Sequence, residues 1–134
     1  MGTGLPADLI EPAREALDAE PSLVAAYLFG SFARGTPSAE SDLDIAVLFP
    51  GKADPRLGGA LDSLRDAVER ACSRPCDLID ARAASADLFH RVLRDGRLLV
   101  DRDPSARIAF EVARRNEYFD LLPYLRQYRR HGAA

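Results

Sequence analysis

The sequence predicts a small α/β fold, a sheet of about four strands covered by helices. Three observations carry this. Short apolar runs bounded by turn residues recur at 23–29, 43–49, 76–80 and 97–101. Segments with helical apolar spacing lie between or around them. The resulting order, helix–strand–strand–helix–strand–helix–strand–helix, is the pattern of a sheet packed against helices.

The elements follow in order. Residues 1–6 form a loose terminus. Over 7–19, Leu9, Ile10, Ala13, Ala16 and Leu17 recur at helical spacing. Pro12 suits a first-turn position, which places the start of the regular helix near Glu11. Residues 20–22 end it, and 23–29 read as a buried strand. Residues 30–41 form a loop with a helical turn after Ser31. The second strand, 43–49, is broken by Pro50-Gly51. A helix over 56–71 sets Leu57, Ala60, Leu61, Leu64, Ala67 and Val68 on one face. Ser73-Arg74-Pro75 stops it before the strand at 76–80.

The helix at 85–95 turns Leu88, Phe89, Val92 and Leu93 inward and closes on Gly96, read as a left-handed cap. Asp103-Pro104 is an N-cap followed by proline at the first helical position. The last helix runs from about 104 to 130 with a bend near Pro123. Its arginines (Arg114, Arg115, Arg126, Arg129, Arg130) read as a solvated face. Its aromatic residues, Tyr118, Phe119, Tyr124 and Tyr128, read as core contact or as a second apolar patch.

Bulk properties narrow the function. At 134 residues the chain is expected to be one domain, 1–134, and its apolar fraction of 47% is that of a globular protein. A net charge of −3 argues against general nucleic-acid or anionic-membrane binding. Seventeen of the eighteen basic residues are arginine, with Lys52 the exception; coding composition explains this as readily as phosphate recognition. Cys72 and Cys76 lack the histidine partners of a zinc set, and read as small buried hydrophobes rather than a disulfide. With no signal peptide and no apolar stretch long enough to span a bilayer, a reduced, cytoplasmic location is expected. His90 reads as structural.

The chemistry concentrates in residues 28–49, LFGSFARGTPSAESDLDIAVLF. Asp42 and Asp44 stand two apart at the head of a strand, so both carboxylates face one place. Leaving two anions there unpaired would cost several kcal/mol, roughly the effective penalty for a buried ion. A hard divalent cation with oxygen ligands, such as Mg²⁺, is the natural counter-charge. Gly30-Ser31 leaves a strand into a turn. Its freed N–H groups and the serine hydroxyl suit a phosphate, and the hydroxyl could serve as an N-cap as well. Arg34 could hold a terminal phosphate or cap the loop. Ser41 reads as a turn residue. Asp77, on the next apolar strand with the parity of Ile79, is the best third carboxylate; Asp80 has the opposite parity. A triphosphate seat facing a metal seat suits in-line phosphoryl or nucleotidyl transfer.

Gly30-Ser31, then ten residues, then Asp42-Leu43-Asp44, with a later strand carrying Asp77, resembles the nucleotidyltransferase superfamily related to DNA polymerase beta. GSFARG at 30–35, SDLDIAV at 41–47, CDLID at 76–80 and VLRDGRLLVDRD at 92–103 are similar to the minimal nucleotidyltransferases of the MntA type. The resemblance covers nearly the whole chain. It implies a mixed sheet with helices on one side, and the use of ATP and Mg²⁺. It matches Asp42, Asp44 and Asp77 to metal-binding carboxylates and Ser31 to the phosphate-holding serine; beside Ser31, Gly30 and Arg34 are the candidate phosphate-binding residues read from the loop itself. It also implies an antitoxin of a HEPN–MNT pair, which transfers AMP to a tyrosine hydroxyl of a HEPN ribonuclease toxin and neutralises it. Two alternatives stand beside this: an antitoxin that only masks its toxin, and a nucleotidyltransferase acting on a small molecule or an RNA end. Neither membrane association nor stable nucleic-acid binding is expected; assembly with the toxin or with a second copy is open.

Overall fold

The computed structural model describes residues 7–35, 42–51 and 58–132. Nine elements follow in chain order: α1 (Ala7–Asp18), β1 (Ala25–Phe29), α2 (Gly30–Arg34), β2 (Leu43–Leu48), α3 (Gly58–Cys72), β3 (Cys76–Asp80), α4 (Ala86–Asp95), β4 (Arg97–Asp101) and α5 (Pro104–Gly132). Residues 1–6 and Ser41 lie outside the described residues.

The sheet order is β3-β2-β1-β4. β1 pairs antiparallel with β2 and with β4, whereas β2 and β3 run parallel through the α3 crossover. The sheet is therefore mixed, as expected.

Helices cover both faces, which corrects the one-sided cover that the resemblance implied. On one face Leu43, Ile45 and Val47 of β2 pack with Ala13 and Leu17 of α1 and Leu64, Val68 and Cys72 of α3. On the other, Ala46 and Leu48 of β2 and Tyr27 of β1 pack with Phe89 and Val92 of α4 and Phe110 of α5. The reason is visible in β2 itself. Both parities of this strand are apolar and buried, so neither face can be left to water.

Several local expectations also change. Helix α1 begins at Ala7, so Pro12 lies inside it rather than at its start. The proline forfeits one intrahelical bond, and burial of Ala13 beside it and of Leu17 beyond outweighs that loss. Gly96 is not left-handed (φ −80°, ψ 166°). Glycine is needed there because a Cβ would lie 2.3 Å from the Val92 carbonyl oxygen and 3.0 Å from that of Leu28. Arg114 is not part of a solvated face: only 11% of its side chain is exposed. It donates to the Ala84 carbonyl and lies over the rings of Phe89 and Phe110, clamping α5 to α4.

α5 begins as expected, with the Asp103 carboxylate accepting the Ala106 N–H (3.1 Å), and it continues unbroken through Pro123. It is tied to the sheet by a buried polar network. The Tyr27 hydroxyl donates to Glu111 (2.9 Å), and Arg107 bridges Glu111 (3.1 Å) and Asp101 (2.8 Å). His90 has a structural place, its ring stacked flat on Tyr118 at 3.7 Å. Cys72 and Cys76 are free and buried. Among the described residues no helix is long and apolar enough to cross a membrane.

Candidate active site

The topology gathers the predicted residues at one end of the sheet. β1 and β2 are antiparallel, so the chain leaving β1 at Phe29 stands beside the start of β2, where Phe29 pairs with Asp44. β3 runs parallel to β2 and begins at the same end, with Asp77 directly opposite Asp44. That start is pinned twice: Glu69 accepts the Cys76 N–H (2.8 Å), and the Pro75 carbonyl accepts the Leu43 N–H (3.0 Å).

Side-chain alternation sets the facing. Asp44 shares its parity with Ala46, and Asp77 with Ile79; both therefore point to the α4–α5 side. Asp80 points to the opposite side, and its carboxylate accepts the Arg82 N–H (3.0 Å), closing a turn. Parity thus separates Asp77 from Asp80 as the sequence suggested. Asp42, immediately before β2, is exposed, as is Asp77, while Asp44 is half-buried.

Gly30 is the tightest constraint. Its φ of +75° is left-handed, and a Cβ built there would lie 2.2 Å from Asp44 Oδ2 and 3.0 Å from Asp44 Cγ. Backbone and carboxylate occupy the space that a side chain would fill, so both backbone angle and contact demand glycine. Ser31 follows in α2, half-buried. It does not serve as the N-cap, a position held by Phe29 without any side-chain bond. α2 closes on Gly35, also left-handed (φ 74°), which returns its N–H to the carbonyls of Phe32 and Ser31.

The electrostatics follow from this crowding. The Asp44 carboxyl is pushed above its ordinary range, first by burial, then by the neighbouring charges of Asp77 and Asp42, with Arg34 opposing. The three carboxylates feel one another across the sheet end, and Arg34 is near enough to act on Asp44. Among the described residues, no group of three His, Cys, Asp or Glu side chains is already closed into a metal cage. The donor set nevertheless suits a hard cation. It consists of carboxylate oxygens alone, and their mutual repulsion is what a divalent ion would relieve.

On the other side of Gly30, a cleft of about 380 Å³ opens between α2 and α4, bordered by Arg34, Arg91, Arg94 and Asp95. The sequence did not signal this cleft. The apolar spacing of α4 reports its inward face and is silent about what its outward arginines border.

Comparison with known proteins agrees with this arrangement. Residues 11–105 match the family described as Polymerase beta, Nucleotidyltransferase. Protein adenylyltransferase MntA of Shewanella oneidensis is 39% identical over 79 residues, which are 59% of this chain and 55% of that protein. The chain thus spans about half the length of this curated relative. Among solved structures, a chain of a toxin–antitoxin crystal structure with AMP-PNP superposes with a TM-score of 0.78 at 29% identity, covering 93% of this chain and 98% of that one. A chain from the complex of the tri-AMPylated Shewanella oneidensis HEPN toxin with MNT antitoxin superposes at 0.70 and 25% identity, covering 93% and 99%. With the family matched from α1 to the start of α5, the chain belongs to the polymerase beta nucleotidyltransferases.

Proposed function

We propose that this protein transfers AMP from ATP to a hydroxyl of a HEPN-type toxin, a tyrosine hydroxyl, and so neutralises that toxin in the cytoplasm. One observation carries the reading: Gly30 packed on Asp44, with Asp42 and Asp77 at the same sheet end. The names and complexes of the related proteins supply the substrate and partner.

In this reading the Gly30-Ser31 backbone and the Ser31 hydroxyl hold the phosphates, with Arg34 neutralising charge beside them. Asp42, Asp44 and Asp77 would hold Mg²⁺, which when bound supplies Lewis-acid stabilisation of phosphate charge. The acceptor oxygen attacks the α-phosphorus, the bond to the bridging oxygen breaks, and pyrophosphate leaves with the electron pair. The carboxylate cluster, of which Asp77 is an exposed member, takes up the hydroxyl proton. The Asp44 contact with Gly30 keeps nucleotide and carboxylates in register, so orientation rather than covalent chemistry is the protein's main contribution.

A second reading, neutralisation by masking alone, draws on Ile108, Val112 and Phe119, which α5 exposes at 50%, 48% and 60%. One experiment separates the two. The Asp42→Asn, Asp44→Asn double variant, shown to be folded and toxin-bound, should transfer no labelled AMP and should fail to protect cells. Full protection without transfer would favour masking. Absence of label with the unmodified protein, folded and bound, would sink the transferase reading.

A further inference from the structure

We infer that one face of α5, with the recess between it and α4, docks the acceptor protein by gripping an amphipathic helix that carries a carboxylate. The inference rests on the proposed protein acceptor and deepens it by naming the surface that selects it.

The surface is written along α5. Ile108, Val112, Arg115 and Phe119 stand at i, i+4, i+7 and i+11, so they line one face of the helix. All four are exposed. The fold does not use this face: Phe110, Arg114 and Tyr118, elsewhere around α5, make the contacts with α4. At 1.5 Å per residue the stripe is about 16 Å long. A row of side chains at this spacing is the seam along which a second helix packs.

At its far end the stripe meets a recess of about 250 Å³, which Arg115 and Phe119 share with His90, Leu93 and Arg94 of α4. That volume is below the roughly 300–1,000 Å³ of small-molecule sites, and suits a side chain or two of a partner. The recess has a fixed wall, because the His90 ring lies flat on buried Tyr118. An exposed aromatic ring and an arginine at a pocket are the residue types that anchor protein interfaces.

Charge selects the occupant. Arg94 donates twice to Asp95 and is thereby neutralised. Arg115 is not: among the described residues its carboxylate contact is Glu111 at 3.9 Å. Glu111 already accepts from Tyr27 (2.9 Å) and Arg107 (3.1 Å). A guanidinium left in an otherwise apolar seam calls for a carboxylate on the partner, held by paired N–H donors. A second copy of this chain does not supply one. Ile108, Val112, Arg115 and Phe119 include no acid, and a two-fold pairing of the stripe with itself would bring both copies' Arg115 into one seam.

Position ties the surface to the chemistry. Arg94 borders both this recess and the α2–α4 cleft, and that cleft opens at Gly30, which lies against Asp44. An acceptor anchored in the recess is thus held beside the candidate active site, and its hydroxyl reaches the carboxylates through the cleft. Holding it there supplies the orientation that the transfer needs.

The test uses the whole chain and a HEPN toxin that the wild-type protein binds. Equilibrium binding is measured without ATP, and AMP transfer is then measured with both substrates varied. Arg115→Glu and Phe119→Ala should each weaken toxin binding and raise the KM for toxin at least tenfold. The KM for ATP and kcat at saturating toxin should stay at wild-type values. Reversing the charge of a single helical acid on the toxin should restore its binding to Arg115→Glu. Unchanged toxin binding in both variants overturns the inference. A raised KM for ATP with unchanged toxin binding also overturns it, and assigns the recess to the nucleotide. Self-association of the wild-type chain in sedimentation, lost in both variants, overturns it in favour of a second copy. Toxin binding that depends on Arg115 and Phe119, with no AMP transfer by the wild-type protein, upholds the docking surface while failing the proposed transfer.

Discussion

Replacing Gly30 with alanine strikes the contact on which the site is built. Two costs arise. At φ +75° the new Cβ pays the left-handed penalty, about 1–2 kcal/mol. The same Cβ lies 2.2 Å from Asp44 Oδ2, so the Asp44 side chain must leave its rotamer, adding about 0.5–1.5 kcal/mol. Together these destabilise the fold by about 2–3 kcal/mol, or about 10 °C in Tm for a chain of this size. Urea denaturation of a double-mutant cycle separates them. In an Asp44→Ala background most of the clash is gone, and Gly30→Ala should cost only the backbone share, a coupling of about 1 kcal/mol. Equal cost in both backgrounds would refute the claim that Gly30 is required by Asp44. AMP transfer by Gly30→Ala alone should be lost even at temperatures where the variant is folded, because the Asp44 carboxylate is displaced.

Other outcomes follow from the same structure. Asp44→Asn should stabilise the protein at neutral pH. The native carboxyl is raised by burial and by Asp77 and Asp42, so its ionisation opposes folding as pH rises through its folded pKa; the advantage of asparagine should vanish below about 3.8, the ordinary value, in urea midpoints measured across that range. Tyr27→Phe removes the buried bond to Glu111 and should cost about 1–2 kcal/mol by denaturation, with Arg107 still holding the carboxylate. Burial pushes the Cys76 thiol up to about 12 from 9.0, so at mildly alkaline pH a thiol reagent should modify it far more slowly than an ordinary cysteine until the protein unfolds.

The strands and the placement of the candidate carboxylates were legible in the sequence for the same reason. Short apolar runs bounded by turn residues stand out in the chain, and the runs at 76–80 and 97–101 are the observed edge strands β3 and β4. A carboxylate inside such a run is conspicuous, and two-residue alternation then assigns its side. This is why Asp44 and Asp77 were found together and Asp80 apart. Backbone approach is less legible. Gly30 and Gly96 are both glycines beside helices, yet one is left-handed against Asp44 and the other extended against two carbonyls. Only the register of neighbouring strands and helices tells them apart. Long polar side chains are the hardest. Arg114 is written among exposed arginines but spends its length on two phenylalanine rings, whereas Arg91 and Arg94 border a cleft formed with α2, an element distant in sequence. Pro12 is tolerated inside α1 because tertiary burial outweighs a local preference.

The central claim is that Gly30, Ser31, Asp42, Asp44 and Asp77 form one site that moves a nucleotide rather than a phosphate. Its most direct test compares ATP labelled at the α-phosphate with ATP labelled at the γ-phosphate, each incubated with this protein and a HEPN toxin. The account predicts that α-label, and no γ-label, becomes covalently attached to the partner, and that Asp77→Asn abolishes the attachment. Transfer of γ-label, or full α-label transfer by Asp77→Asn, would contradict it.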